Sequence, residues 1–408
     1  MPPFRNHISK RRQKENIMDV RSMDETYVAD TYARFPVLIK SGKGSLVTDI
    51  DGKEYIDLGS GIGVTAFGMC DTVWVDSVRA QLEQLQHTSN LYYTEPCAKL
   101  AKLLCEKTGM KKVFFCNSGA EANECAIKTA RKYAEDKGIK DGVIVTLKNS
   151  FHGRTITTLS ATGQDHYHAS FLPMTAGFVH ADPNDPESTA RTILENRTIA
   201  VMIECIQGEG GVNVLDYDYV KGIYDLCRKH DILLIVDEVQ TGNGRTGKLY
   251  AYMNYDIEPD IVSTAKGLGG GLPIGAALLG KKVEHTLGHG DHGSTFGGNP
   301  VCCAGAYSIL KRLDEPFLKQ VCEKGDFIRQ SLKGCEGVEL VTGLGLMIGI
   351  KTTKPARDVI AQCLKDGVLC LSAKDRVRLL PALNIPMQLL EKAVSVIKNA
   401  CRPDAQGE

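Results

Sequence analysis

An excess of charge of either sign is missing from this 408-residue chain: Lys plus Arg and Asp plus Glu both number 49. Without a basic footprint to displace counterions from a phosphate backbone, nucleic acid is set aside as a partner. Long apolar runs are missing too. No stretch approaches the roughly 20 residues that span a bilayer. The basic opening MPPFRNHISKRRQKENIMDV lacks the apolar centre of a secretory signal, and residues 1–22 are expected to be a disordered extension. The 14 cysteines include no C-x-x-C pair, so they read as reduced thiols of a soluble cytoplasmic protein, with no metal site. Also lacking is a nucleotide loop. GLGGGLPIG has neither Gly-x4-Gly-Lys nor an acidic partner at dinucleotide spacing, which excludes a nicotinamide-dependent dehydrogenase.

What is present is ordinary soluble composition, 43% apolar and 24% charged, in a chain long enough for a large core and a smaller one. LVTDIDGKEYIDL alternates around Asp51-Gly52 and predicts a hairpin with a two-residue turn. GSGIGVTAFGMC is too glycine-rich for a regular element and is read as a loop. Helices are predicted over VDSVRAQLEQLQH and from Pro96 to Gly109. Strands recur at VFFC, GVIVTL, GFVHA, IAVMIECI, ILLIVDEV, DIVSTA and IGAALLG, with helical segments between several of them. That rhythm predicts an α/β fold with a largely parallel sheet covered on both faces. The expected division is 23–60 as the N-terminal part of a small domain, 61–305 as the large domain, and 306–408 as the C-terminal part of the small one.

Two strand ends carry titratable groups. ILLIVDEV brings Asp237 to a sheet edge, and DIVSTAK brings Lys266 to another before a glycine-rich turn. An amine beside an acid suits a carbonyl-directed nucleophile whose ring partner needs its nitrogen protonated, the requirement of pyridoxal phosphate. VFFC-NSGAEANE is strand, small-residue turn, helix. Its turn puts Ser118, Gly119 and Ala120 at the positive end of a helix dipole, a place for a phosphate.

Seven collinear motifs, SNLYYTEP, NSGAEANE, NSFHGRT, IQGEGGV, DEVQTGNGRTG, AKGLGGGLPIGA and HGSTFGGNP, resemble the class III pyridoxal-phosphate aminotransferases, most nearly their acetylornithine-specific members. The resemblance runs from about Tyr27 to near the end of the chain. It implies a type I pyridoxal-phosphate transferase fold and a homodimer with shared active sites. Lys266 would bind the cofactor and move the substrate proton, Asp237 would face the ring nitrogen, and Gln240 the ring hydroxyl. Phe151 would stack on the ring, and Glu238 and Val239 would border it. Gly119 and Ala120 would hold the phosphate together with Thr295 of the partner subunit. Arg154 and Ser294 would meet the substrate's carboxylate side.

The implied reaction moves the δ-amino group of N2-acetyl-L-ornithine to 2-oxoglutarate by a ping-pong route, as in arginine biosynthesis. One substrate brings a carboxylate near the reacting amine and the other does not, so an arginine there needs a neutralising partner. Glu209 and Arg378 occupy the family's positions for that pair. Ile62 stands where ornithine-specific relatives carry a tyrosine, and an apolar residue suits an acylated amine. The chain departs from the family's Gly-His-x-His-Pro at Gly68-Met69-Cys70-Asp71-Thr72, and from a proline at Cys205. Ornithine, succinylornithine, succinyl-diaminopimelate and 4-aminobutyrate are the competing substrates. A non-catalytic binding protein on the same fold is the competing class.

Overall fold

The computed structural model describes residues 20–403. The basic extension lies outside them except for its last three residues, and these are not disordered: they open a helical stretch that runs to residue 27. The predicted hairpin follows as part of three antiparallel strands, β1 (Ile39–Lys43), β2 (Leu46–Asp49) and β3 (Glu54–Asp57). Its loop is longer than the predicted two residues. The Asp49 N–H donates to the Lys53 carbonyl, enclosing three residues, and Gly52 supplies the left-handed φ of 88°. The Asp49 carboxylate accepts from the N–H groups of Asp51 and Lys53 at 3.0 and 2.9 Å, which satisfies the wider loop's amides.

The glycine-rich segment after β3 is more ordered than a plain loop. Ser60, Gly61, Ile62 and Gly63 all have left-handed φ, at 47°, 62°, 65° and 75°, making one left-handed turn. Glycine tolerates this; a β-branched isoleucine does so only when its surroundings hold it. Helix α1 (Thr72–Leu82) is capped by Asp71, whose carboxylate accepts from the Trp74 N–H at 3.0 Å. Helix α2 (Glu95–Thr108) begins around Pro96 and ends at Gly109 with φ 77°, as the sequence predicts.

The central sheet is built from β4 (Lys112–Cys116), α3 (Gly119–Asp136), β5 (Val143–Leu147), α4 (Ile156–Ala161), β6 (Phe178–Ala181), α5 (Pro186–Glu195) and β7 (Thr198–Ile203). There follow the short pair β8 (Ile206–Gln207) and β9 (Asn213–Val214), then α6 (Tyr217–Lys229), β10 (Leu233–Asp237), β11 (Ile261–Thr264) and β12 (Gly275–Leu279). Seven strands run in the order β4-β12-β11-β10-β7-β5-β6. All neighbours are parallel except β12, which is antiparallel to both β11 and β4. Alternate residues leave the sheet on opposite faces. Ile235 and Met202 pack with Ala126, Ile127 and Ala130 of α3, while Leu234, Val236 and Val201 pack with Val220, Ile223 and Cys227 of α6. Both faces are covered, hence the unbroken apolar strand runs.

Beyond the sheet come α7 (Pro300–Leu310), α8 (Glu315–Leu332), β13 (Val338–Leu344), β14 (Met347–Thr352), α9 (Ala356–Lys365), β15 (Val368–Leu369), β16 (Leu371–Ala373), β17 (Arg376–Leu379) and α10 (Met387–Cys401). β13, β14, β17 and β16 form an antiparallel sheet. β15 pairs in parallel with β3, Val368 opposite Ile56, so the hairpin and the tail share one sheet. No helix among the described residues is long and apolar enough to cross a membrane.

Candidate active site

A cavity of about 460 Å³ opens at the carboxyl ends of the parallel strands, where α/β sheets of this kind take their ligands. Asp237, the last residue of β10, lines it and is buried. It leaves the sheet on the α3 side, the face of Ile235, and there three donors converge on its carboxylate. Asn123 of α3 donates to Oδ2 at 2.7 Å, His152 Nδ1 lies 2.8 Å from the same oxygen, and the Val239 N–H donates to Oδ1 at 3.0 Å. Asn123 also donates to the His152 carbonyl at 2.7 Å. The acid therefore has one orientation, with its remaining approach toward the cavity.

Lys266 reaches the same cavity from the neighbouring strand. β11 stops at Thr264, and Lys266 opens a short 3-10 turn with φ 43°, a left-handed conformation that the flanking strand and glycines impose. Burial pushes its ammonium below the ordinary lysine value, against the opposing pull of the Glu209 charge. A lysine so placed yields its proton more readily than a surface one.

The third wall is the start of α3. Ser118 caps the helix, its hydroxyl accepting from the Glu121 N–H at 3.2 Å, so the side chain is occupied as an ordinary cap. The first-turn amides of Gly119 and Ala120 lack acceptors within the helix, and both residues line the cavity. Gly119 is required by close packing: a Cβ there would sit 2.6 Å from Val239 Cγ1. Phe151 and Arg154 form the opposite side. The Phe151 N–H donates to Glu204 at 2.9 Å. The Arg154 guanidinium lies 5.5 Å from the centre of the Phe151 ring and 4.1 Å from that of Tyr167.

Behind Gln240, which lines the cavity, a buried arginine is paired with a half-buried glutamate. Arg378 on β17 donates through both terminal nitrogens to Glu209, at 2.6 and 3.3 Å. Gln240 bridges the two, accepting from Arg378 at 3.0 Å and donating to Glu209 at 3.1 Å. Burial pushes the Glu209 carboxyl up, but the charge and hydrogen bonds of Arg378 outweigh it and leave the acid below its usual range.

The model of the class III aminotransferases matches residues 27–401. The chain belongs to that family. It is 51% identical to the acetylornithine aminotransferase of Haemophilus ducreyi over 381 residues, covering 93% of this chain and 97% of that protein. It is 43% identical to the acetylornithine aminotransferase of Methanocaldococcus jannaschii, covering 94% and 97%. Among solved structures, the ornithine aminotransferase of Toxoplasma gondii superposes with a TM-score of 0.90 at 33% identity, covering 94% of each chain. The N-acetylornithine aminotransferase of Stenotrophomonas maltophilia does so at 0.81 and 34%, covering 93% and 97%. The α/β architecture is that of type I pyridoxal-phosphate enzymes, and this chain is a pyridoxal-phosphate-dependent aminotransferase.

The residues of this aminotransferase fit that cofactor. An oriented carboxylate, a lysine with a lowered proton affinity and a helix terminus with free amides face one cavity of suitable size. Sequence reasoning brought Asp237, Lys266, Ser118, Gly119, Ala120, Phe151, Val239, Gln240 and Arg154 to this cavity, and all line it. Ser294 is one contact away, its hydroxyl accepting from Asn117 of the cavity wall at 3.2 Å. Thr295 lies exposed on the same loop and does not line its own chain's cavity.

Two expectations are corrected. Glu238 does not border the cavity. It follows Asp237 along the strand direction and so leaves on the opposite face, where it is fully buried, accepting from Thr241 and from the Tyr252 N–H at 2.6 and 2.8 Å. Ile62 lies on its left-handed turn along a separate cavity lined also by Phe35, Val37 and Leu371, while Val64 lines the first. Sequence reasoning also missed Asn123, His152 and Glu204. Glu204 carried the signal used for Asp237, an apolar strand ending in an acid, in TIAVMIE. Burial first, then the Asp237 charge, push its carboxyl well above the usual range.

Proposed function

We propose that the aminotransferase moves the δ-amino group of N2-acetyl-L-ornithine to 2-oxoglutarate, giving N-acetyl-L-glutamate 5-semialdehyde and L-glutamate, the transamination of arginine biosynthesis. The Glu209–Arg378 pair beside Gln240 carries this reading. A donor with no charge near its reacting amine meets a neutralised arginine, while glutamate brings a carboxylate that can replace Glu209 on the same guanidinium. Leaving Arg378 unpaired would cost roughly 3–5 kcal/mol, so a site for both substrates needs this exchange. The acetylornithine aminotransferases among the relatives support the choice of donor.

Pyridoxal phosphate, when bound, supplies the electron sink that stabilises the substrate carbanion. The chain's own residues do the rest. Asp237 would keep the ring nitrogen protonated, with Asn123 and His152 keeping the carboxylate aimed. Gly119 and Ala120 would receive the phosphate, Phe151 would cover the ring, and Gln240 would meet its hydroxyl. Lys266, with its lowered proton affinity, takes a proton from the substrate carbon and returns it. Arg154, with Ser294 nearby, receives the far carboxylate.

The working unit is a cytoplasmic homodimer, in which Thr295 completes the phosphate site of the second copy. Its support is a cluster of exposed apolar side chains, Leu91, Tyr92, Tyr93 and Phe296. These lie on two loops tied together by Asn90, which donates to the carbonyls of Ser294 and Gly297 at 3.0 and 2.8 Å. Residues 61–305 form the cofactor-binding domain, with the segments on either side forming the smaller one. A panel of donors with 2-oxoglutarate tests the substrate: kcat/KM for N2-acetylornithine is expected to exceed those for ornithine and 4-aminobutyrate at least about tenfold. Preference for either of the others rejects the assignment.

A further inference from the structure

Two arginines serve the site, and they are held in different ways. Arg378 is buried and masked by a carboxylate. Arg154 is exposed at the cavity rim and, among the described residues, has no ion pair or hydrogen bond; aromatic rings hold it instead. We propose that Tyr167 is a positioning residue for substrate choice, keeping Arg154 ordered at the mouth with its hydrogen-bonding edge free for a carboxylate distant from the reacting amine. The inference rests on the proposed substrate class, an ω-amino acid with an acylated α-amine.

An unpaired surface arginine loses side-chain freedom on fixing a ligand. A carboxylate partner would order it beforehand but would occupy the donors the substrate needs. An aromatic face orders the guanidinium through its plane and leaves the donors at its edge unused. Tyr167 gives that face at 4.1 Å, and its ring meets Phe151 edge-on at 5.9 Å with 72° between planes. The platform is itself fixed. Tyr167 ends the 3-10 turn Asp165–Tyr167, and its N–H donates to the Gln164 carbonyl at 3.0 Å. Gln164 is buried and donates to the Ser150 carbonyl at 3.0 Å. The next residue, His168, places Nε2 2.9 and 2.8 Å from the carbonyls of Leu159 and Thr162 at the end of α4. Both anchors lie outside the cavity wall, so Tyr167 acts on the substrate only through Arg154 and Phe151.

The test compares wild type, Tyr167→Ala and Tyr167→Phe in the cofactor-loaded enzyme. For N2-acetylornithine, Tyr167→Ala should raise KM about tenfold with kcat within about twofold, and Tyr167→Phe, which keeps the ring face, should stay near wild type. For an unbranched alkylamine without the carboxylate, neither variant should change KM. Binding of N-acetyl-L-norvaline, the substrate without its reacting amine, is measured by calorimetry and should weaken about tenfold in Tyr167→Ala alone. Unchanged KM and affinity in Tyr167→Ala, an equal rise in KM for the alkylamine, a Tyr167→Phe variant as impaired as Tyr167→Ala, or no binding of the norvaline derivative by wild type each overturn the inference. The binding arm needs no turnover. Absence of wild-type activity on N2-acetylornithine would reject the substrate reading, while the affinities still decide the role of Tyr167.

Discussion

At the scale of single residues, the ion pair behind Gln240 makes the sharpest prediction. Glu209→Gln removes the charge that neutralises Arg378, so the half-reaction with N2-acetylornithine should slow at least about tenfold more than the one with glutamate, whose own carboxylate fills the gap. Single-turnover spectra of each half-reaction read this directly, and equal losses would reject the exchange. A second prediction concerns Glu238, whose carboxyl burial pushes up to about 7 from 4.5. The folded protein therefore holds a proton that the unfolded chain releases near pH 4.5. Stability from this group is full below about pH 4.5 and falls as pH rises through 7, by on the order of 3 kcal/mol. Glu238→Gln keeps the shape without the titration. Urea midpoints of the two proteins from pH 5 to 8 should diverge in the variant's favour as pH rises, and parallel curves would count against it.

The same residues show how far sequence reasoning reached. Asp237 and Lys266 were legible because each ends an apolar run, where a titratable group has little reason to be unless the sheet edge uses it. Glu238 was misassigned because a contiguous motif suggests one site, whereas a strand sends neighbours to opposite sides. Asn123 and His152 were not legible at all. They meet only at the Asp237 carboxylate, separated from it by 114 and 85 positions in the chain, and no local pattern encodes that convergence.

At the scale of elements, two helical glycines separate packing from propensity. Gly325 lies within α8 and is buried; a Cβ there would stand 2.0 Å from the Gly345 carbonyl oxygen. Gly222 lies within α6, and a Cβ there would meet nothing within 4 Å. Alanine favours a helix over glycine by about 1 kcal/mol. Gly222→Ala should therefore gain up to about 1 kcal/mol, while Gly325→Ala should lose about 1–3 kcal/mol because backbone must move. Thermal unfolding should shift upward in the first and downward in the second. Element types were well read from periodicity, as with α2 between Pro96 and Gly109. What the pattern could not encode was direction. IGAALLG reads like any buried strand, yet β12 runs antiparallel to its neighbours, because a short connection from β11 can only turn back.

At the scale of the whole molecule, the proposed homodimer would bring Thr295 of a second copy to the α3 terminus, since Thr295 is exposed and does not line its own chain's cavity. Tyr93 and Phe296 are respectively 106% and 59% exposed, more than isolated apolar surface residues need to be, and they flank the loop bearing Thr295. If the proposed dimer forms through this surface, replacing both with aspartate should give a monomer in sedimentation velocity and weaken cofactor retention on dialysis. A variant that still sediments as a dimer would move the interface elsewhere. The motif order made the large sheet and its edge readable, but not the union of the N-terminal hairpin with the tail. β15 is two residues long, and its pairing with β3 joins positions more than 300 residues apart.

The back-to-back placement of Asp237 and Glu238 also constrains how the gene for this chain can change. Loss of one codon within β10 ahead of Asp237 would leave the strand able to pair with β7 and β11, since the positions before the acid are apolar and accept either layer. Yet it would exchange the destinations of the two acids, sending glutamate to the ligand side and aspartate into the interior. Such a protein could fold and still be catalytically dead, so this strand's length is under a constraint its composition does not disclose.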